Sequence, residues 1–232
     1  MNKQIHESRN LTMLTDFYQL TMMDGYLSSG IHEEIATFDL FFRQRGQINY
    51  AVAAGLEQAI EYIKDLHFSA EDIEYLRSLN TFTDKFLDYL KDLRFTGDIY
   101  SVREGEIVFP MEPIMIVRAP LIEAQLVETA LLTIISHQTL IATKASRVTT
   151  AAGEGKVIEF GLRRAQGPDA GVYGSRASII GGASATSNVL AAQMFDIAPK
   201  GTHSHSWVLS FPTELDAFNA FADIYPDSCL LL

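Results

Sequence analysis

The sequence predicts an α/β fold in two parts. An N-terminal α+β domain covers residues 1–119, and the first part of an irregular α/β barrel covers residues 120–232. Three observations predict it. Ahead of Ala119-Pro120, short alternating apolar runs mix with amphipathic helical ones in no regular order. Beyond Leu121 the pattern turns to long helical stretches and then to strands alternating with helices, the mark of a parallel sheet. Finally, the apolar run Val157-Ile158-Glu159-Phe160 passes straight into a loop of Gly, Arg and small polar residues, which is how α/β proteins present functional groups at the carboxyl edge of a sheet.

Thr15 is the expected N-cap of a helix from Asp16 to about Leu27, with Leu20, Met23 and Leu27 on one face. Residues 36–42 alternate, are rich in Phe and read as a strand. Helices follow at 56–66, 70–79 and 84–93, then strands at 95–102, 106–108 and 114–117. The prolines at 110 and 113 mark an irregular, edge-like junction. Two helices, 121–137 and 140–152, open the second part, with strands expected near Val157, His203 and Ser228. A closed barrel of this kind needs at least ~200 residues, about twice what lies beyond Leu121. The chain also stops within the strand-like run Cys229-Leu230-Leu231-Leu232, so the expectation is a piece of a longer protein.

Composition narrows the function. Hydrophobic residues make up 47% and charged ones 20%, ordinary values for a globular protein with a sizeable core. A formal net charge of −11 argues against a nucleic-acid partner, which demands a clustered cationic surface. Local Arg and Lys residues still suit small anionic substrates. One cysteine, Cys229, fits a reducing compartment, and neither a signal core nor a run of ~20 apolar residues is present. A cytoplasmic protein with no membrane partner is the expectation.

Five stretches occur in a telling order: Thr15-Asp16-Phe17-Tyr18-Gln19-Leu20-Thr21-Met22, Ile141-Ala142-Thr143-Lys144-Ala145, Glu159 to Gly167, Gly181-Gly182 with Thr186-Ser187-Asn188-Val189, and Gly201 to Val208. Together they resemble the motifs of the nicotinate phosphoribosyltransferase family. The resemblance spans nearly all of this chain and about the first half of the family. It implies a phosphoribosyltransferase-type barrel and the transfer of a phosphoribosyl group from phosphoribosyl pyrophosphate to nicotinate, giving nicotinate mononucleotide in NAD salvage. It also implies ATP hydrolysis through a phosphohistidine, with Mg²⁺ as cofactor, and a homodimer whose active sites draw on both subunits.

The resemblance assigns roles residue by residue. His205 matches the phosphorylated histidine, a role suited to a neutral imidazole nucleophile. Arg163 matches the arginine on the pyridine substituent and the phosphoribosyl phosphate, and a guanidinium is a natural bidentate partner for a carboxylate. Arg164 either serves the same phosphates or points into an ion pair. Phe160 matches the aromatic residue stacked on the pyridine, and Tyr18 the tyrosine that reaches its other face from a neighbouring subunit. Ser187 stands where nicotinamide-using relatives carry an acid, so the substrate expected is the carboxylic acid. Gly182 and Thr202, beside their neighbouring glycines, are candidates to cradle phosphate oxygens. Lys144 faces either the pyrophosphate or a subunit boundary, while Arg147 reads as part of a solvated helix face. His203 is a spectator or a supporting residue.

Other readings stay open on the residues alone. The His203-x-His205 pair would share one face of a strand, as in a metal-dependent barrel hydrolase, although only six histidines are present and no further ligands are evident. A nicotinamide or quinolinate phosphoribosyltransferase is disfavoured by Ser187 and the run Phe160 to Gly167. A non-catalytic fragment that still associates is the alternative outside enzymology.

Overall fold

The computed structural model describes residues 10–44, 46 and 49–231. In chain order it contains α1 (Phe17–Ser29), β1 (Ile35–Phe41), β2 (Ala51–Val52), α2 (Leu56–Lys64), α3 (Ala70–Ser78) and α4 (Asp84–Asp92). Then come β3 (Asp98–Ser101), β4 (Ile107–Val108), β5 (Pro113–Pro120), α5 (Leu121–Ala152) and β6 (Ile158–Glu159). A single 3-10 turn, Leu162–Arg164, leads to α6 (Pro168–Ile180), β7 (Ala185–Thr186), α7 (Val189–Phe195), α8 (His205–Leu209) and α9 (Glu214–Ile224). The α/β class expected from the sequence is the class observed.

The first half is organised by a three-stranded antiparallel sheet in the order β1-β5-β3. As expected, Pro110 stands in an irregular turn, residues 109–112, between β4 and β5, where Met111 has a φ of 70°; Pro113 lies at the start of the central strand. The proline is tolerated there because the register slips between Leu40 and Phe41, where Pro113 faces Phe41. Asp16, rather than Thr15, holds the N-cap position of α1. The Thr15 hydroxyl turns to the Leu126 carbonyl (3.4 Å) and the Asp16 carboxylate accepts from Thr129 Oγ1 (2.9 Å), so both polar groups dock α1 on α5. A continuous apolar core joins Met23 of α1, Phe86 and Leu90 of α4, Met115 of β5 and Ile122 and Leu126 of α5.

The expected pair of helices at 121–137 and 140–152 is one 32-residue helix. Gln138 and Thr139, which read as a break, are buried and bonded sideways. Gln138 Nε2 donates to Gln58 Oε1 (2.8 Å), and the Thr139 hydroxyl bridges to the backbone of Ala54 (3.2 Å). Helix α5 is long and apolar enough to cross a membrane, but 56% of the apolar 18-residue window within it is buried inside the molecule, where the helix is the axis of the core. Its first half lies in the large core, and its second half receives α6 at close range. A methyl group on Gly181 would sit 2.3 Å from the Ala142 carbonyl oxygen, so glycine is required for the approach.

An ion-pair clamp fastens α6 to the first half. Arg176 donates to both oxygens of Glu104 (2.8 and 2.7 Å) and to Glu57 (2.5 Å), and its guanidinium lies 5.7 Å from the Phe195 ring centre. Glu104 in turn accepts from the amides of Gly55 (2.6 Å) and Leu56 (3.1 Å), the start of α2. Burial pushes the Glu104 carboxyl upward. The hydrogen bond and charge of Arg176, with the two amides, outweigh that push and hold it below its ordinary value.

Candidate functional site

The parallel layer is built from short pieces. Strand β6 pairs with β7, Ile158 facing Ala185 and Glu159 facing Thr186, and Thr186 forms a further parallel bridge to Pro199. The amide of Ser187 donates to the Glu159 carbonyl (3.0 Å), and that of Lys200 to the Thr186 carbonyl (2.9 Å). Three successive parallel segments therefore end at one edge. Their carboxyl ends are Phe160-Gly161, Ser187 and Gly201-Thr202, and at the usual strand spacing they span about 10 Å. Phe160 is 42% exposed, Ser187 and Thr202 are half-buried, and the edge is open to solvent.

Arg163 and Arg164 follow Phe160 in the 3-10 turn, both exposed and neither ion-paired among the described residues. Arg164 lines a cavity of about 470 Å³ between α5, α6 and this turn, in company with His137, Lys144 and Glu159. Arg163 does not line it. Arg147 lies over the ring of Tyr50, 5.1 Å from its centre.

The strand expected near His203 is absent, as is the one near Ser228. Residues 201–204 are a loop, and His205 opens the short helix α8. The two imidazoles therefore share no strand face. His203 is buried between Phe218 (5.4 Å between ring centres) and Phe221 (5.3 Å), whereas His205 is exposed. The alternation that suggested a strand arises because one histidine fills an aromatic pocket under α9 and the other begins a helix. Trp207 completes that packing, donating from Nε1 to the Ala217 carbonyl at 2.9 Å. Among the described residues no three His, Cys, Asp or Glu side chains converge as metal ligands.

Two of the candidates lie apart from this edge. Gly182 precedes β7, so it sits at the amino end of that strand, with a φ of 99°, and a methyl group on it would lie 3.0 Å from Thr149 Oγ1. Tyr18 lies on α1, 49% exposed. Its phenol accepts from Gln19 Nε2 (3.0 Å), and desolvation, then the charges of Glu128 and Asp16, raise its pKa. Glu128 and Lys144 are separated along α5 by about 24 Å at helical rise, so this chain does not bring Tyr18 to its own Phe160. The motifs alone assign no role to Glu159 or Arg176. Glu159 was detectable as a polar residue alternating with Phe160 at a strand end and followed by glycine.

Residues 13–136 match the family model of the nicotinate phosphoribosyltransferase N-terminal domain. The chain belongs to the nicotinate phosphoribosyltransferase family. It is 49% identical over 224 residues to the nicotinate phosphoribosyltransferase of Bacillus subtilis, covering 96% of this chain and 46% of that protein. A Mycobacterium tuberculosis nicotinate phosphoribosyltransferase is 43% identical over 222 residues, covering 95% and 48%. The chain thus spans about half the length of the curated relatives it matches. Among solved structures, human nicotinic acid phosphoribosyltransferase superposes with a TM-score of 0.78 at 38% identity, over 85% of this chain and 40% of that one. A nicotinate-nucleotide pyrophosphorylase from Pyrococcus furiosus reaches the same TM-score of 0.78 at 21% identity, over 100% of this chain and 52% of that one, a likeness of fold.

Proposed function

We propose that this chain supplies the nicotinate-recognising part of an enzyme that joins nicotinate to phosphoribosyl pyrophosphate. The observation that carries the reading is the alignment of Phe160-Gly161, Ser187 and Gly201-Thr202 at one strand edge, with Arg163 and Arg164 in the adjoining turn. In the reaction the pyridine nitrogen forms a bond to the anomeric carbon as the bond to pyrophosphate breaks, and the electron pair leaves with the pyrophosphate. The protein's task is to align the two reactants and to stabilise charge. Phe160 offers a ring face for the pyridine. Arg163 pairs with the nicotinate carboxylate, Arg164 and Lys144 offer cations to phosphate oxygens, and the backbone near Thr202 offers amides.

His205, exposed at the start of α8, is the proposed acceptor of the phosphoryl group from ATP. Tyr18 acts across a homodimer, because its own site is out of reach. Gly182, at the opposite end of β7, supports the turn against α5 instead of touching substrate. The described residues offer no convergent ligand set for Mg²⁺, so no step is assigned to a metal held by them. A cytoplasmic location is part of the same proposal.

The test is an assay for nicotinate mononucleotide with the protein made from its native gene. Ser187→Asp should raise KM for nicotinate about tenfold or more while affecting nicotinamide less, because the new carboxylate repels only the acid. His205→Ala should remove the dependence of turnover on ATP. Equal losses for both pyridines would overturn the assignment of Ser187, and absence of product would overturn the reading as a whole.

A further inference from the structure

Glu159 ends β6, and its side chain leaves the strand on the face opposite Phe160, toward α6. There its Oε2 accepts from Thr186 Oγ1 at 2.6 Å and from Ser175 Oγ at 2.9 Å, while Oε1 accepts from the backbone N–H of Gly161. Thr186 is 0% exposed and Ser175 1%. The Thr186 hydroxyl also accepts from the Asn188 amide (3.0 Å), which leaves its single proton for Glu159. The Asn188 side chain continues the network. Its Nδ2 donates to Ser175 Oγ and to the Gly171 carbonyl (3.2 Å each), and its Oδ1 accepts from the Ala191 amide (3.2 Å) at the start of α7. One carboxylate therefore joins the end of β6, the end of β7, helix α6 and the entrance to α7.

The same contact is visible from Gly161: a methyl group there would lie 2.8 Å from Glu159 Oε1 and would push the tip of the Glu159 side chain aside.

We propose that Glu159 is a positioning residue, whose carboxylate fixes the turn carrying Phe160, Arg163 and Arg164 against Ser187. The inference deepens the proposed function and rests on it for what the turn binds. The Gly161 N–H and the Thr186 hydroxyl present donors to the side chain, and the Ser175 hydroxyl shares its proton between Glu159 and the Gly171 carbonyl (2.9 Å each), so a carboxylate meets them with acceptors on both oxygens. The amide of a glutamine would set an NH₂ group against either the Gly161 N–H or the hydroxyls. Against the hydroxyls it would leave the buried Thr186 and Ser175 donors unmet, and against Gly161 it would take away the acceptor that holds the N–H of the turn; either change loosens the turn.

Two readouts test this in the protein made from its native gene, one of them free of catalysis. Trypsin cuts after Arg163 and Arg164 when the turn opens, and cleavage after Arg94 serves as an internal reference. Glu159→Gln and Thr186→Val should each speed cleavage at the turn about tenfold over that reference, since proteolysis follows the population of the open form. The double variant should be cut little faster than either single one, because both remove the same link. Thr186→Ser, which keeps the donor, should be cut as slowly as wild type. In the product assay, Glu159→Gln should raise KM for nicotinate more than it lowers kcat, as expected for lost ground-state positioning. Unchanged cleavage at the turn in Glu159→Gln, or equal acceleration at Arg94, overturns the proposal. If cleavage responds as expected but the wild type forms no nicotinate mononucleotide, the functional reading fails while the positioning of the turn stands.

Discussion

Residues 10–152 and residues 153–231 hold themselves together by different means. In the first segment the fully buried side chains include many large ones, among them Phe86, Met115, Ile122 and Leu126. In the second, the buried apolar side chains are only alanines and one valine, Val172, while Val189 (74%) and Leu209 (83%) stand exposed. The first segment is stabilised chiefly by burial of apolar area, at about 25 cal/mol per Å². The second relies on polar stitching around Glu159 and Asn188, on close helix contacts through Gly181, and on the Arg176 clamp. Stability is therefore concentrated in one half, and the proposed chemistry lies in the other. Substitutions in the two halves should be read out by different assays.

The sharpest contrast is expected at the core. Phe86→Ala, at a side chain with 0% exposure, should cost about 3–5 kcal/mol in urea unfolding, the usual range for a deleted buried aromatic ring. A cost near 1 kcal/mol would mean the first half is not the stable half. Next is the clamp between them. Arg176→Met should cost about 1–3 kcal/mol, less than a fully buried pair because Glu57 is exposed.

The same variant should change the pH dependence. The Glu104 carboxyl is held below its ordinary value, so its contribution is complete above the unfolded carboxylate range, near ~4.3, and is lost as pH falls toward the folded value. Unfolding curves of Arg176→Met should show a shallower loss below that range than wild type. The smallest effect is expected at the exposed apolar surface. Leu209→Lys should change stability by no more than about 0.5 kcal/mol. A loss several times larger would show that another polypeptide segment covers that face.

The sequence made the first half legible because its elements follow simple periods. The helices at 70–78 and 84–92 begin at Ser69 and Thr83, and both caps accept the hydrogen bonds their identities suggest, from Asp72 and Phe86 amides. The long helix was harder to see. Gln138 and Thr139 interrupt an apolar pattern, and nothing local reveals that their partners are Gln58 and Ala54, some 80 residues away. Strand β7 escaped notice because two small residues carry no strand signal of their own, and its pairing with β6 is the work of the βαβ unit. The edge bearing Phe160, Ser187 and Thr202 was legible as separate motifs. Their adjacency was not, since it depends on parallel register. The wrong strand at His203 has the same origin, because an alternating polar sequence fits a loop that buries one histidine as well as it fits a strand.

Helix α5 carries a mechanical consequence. An unbroken helix of 32 residues is a strut about 48 Å long, embedded in the core at one end and gripping α6 at the other. Such a strut leaves no hinge along its axis at which the two halves could bend apart. Within this chain, then, opening of the strand edge falls to the short segments there, 160–167 and 200–204, moving over a frame that stays still.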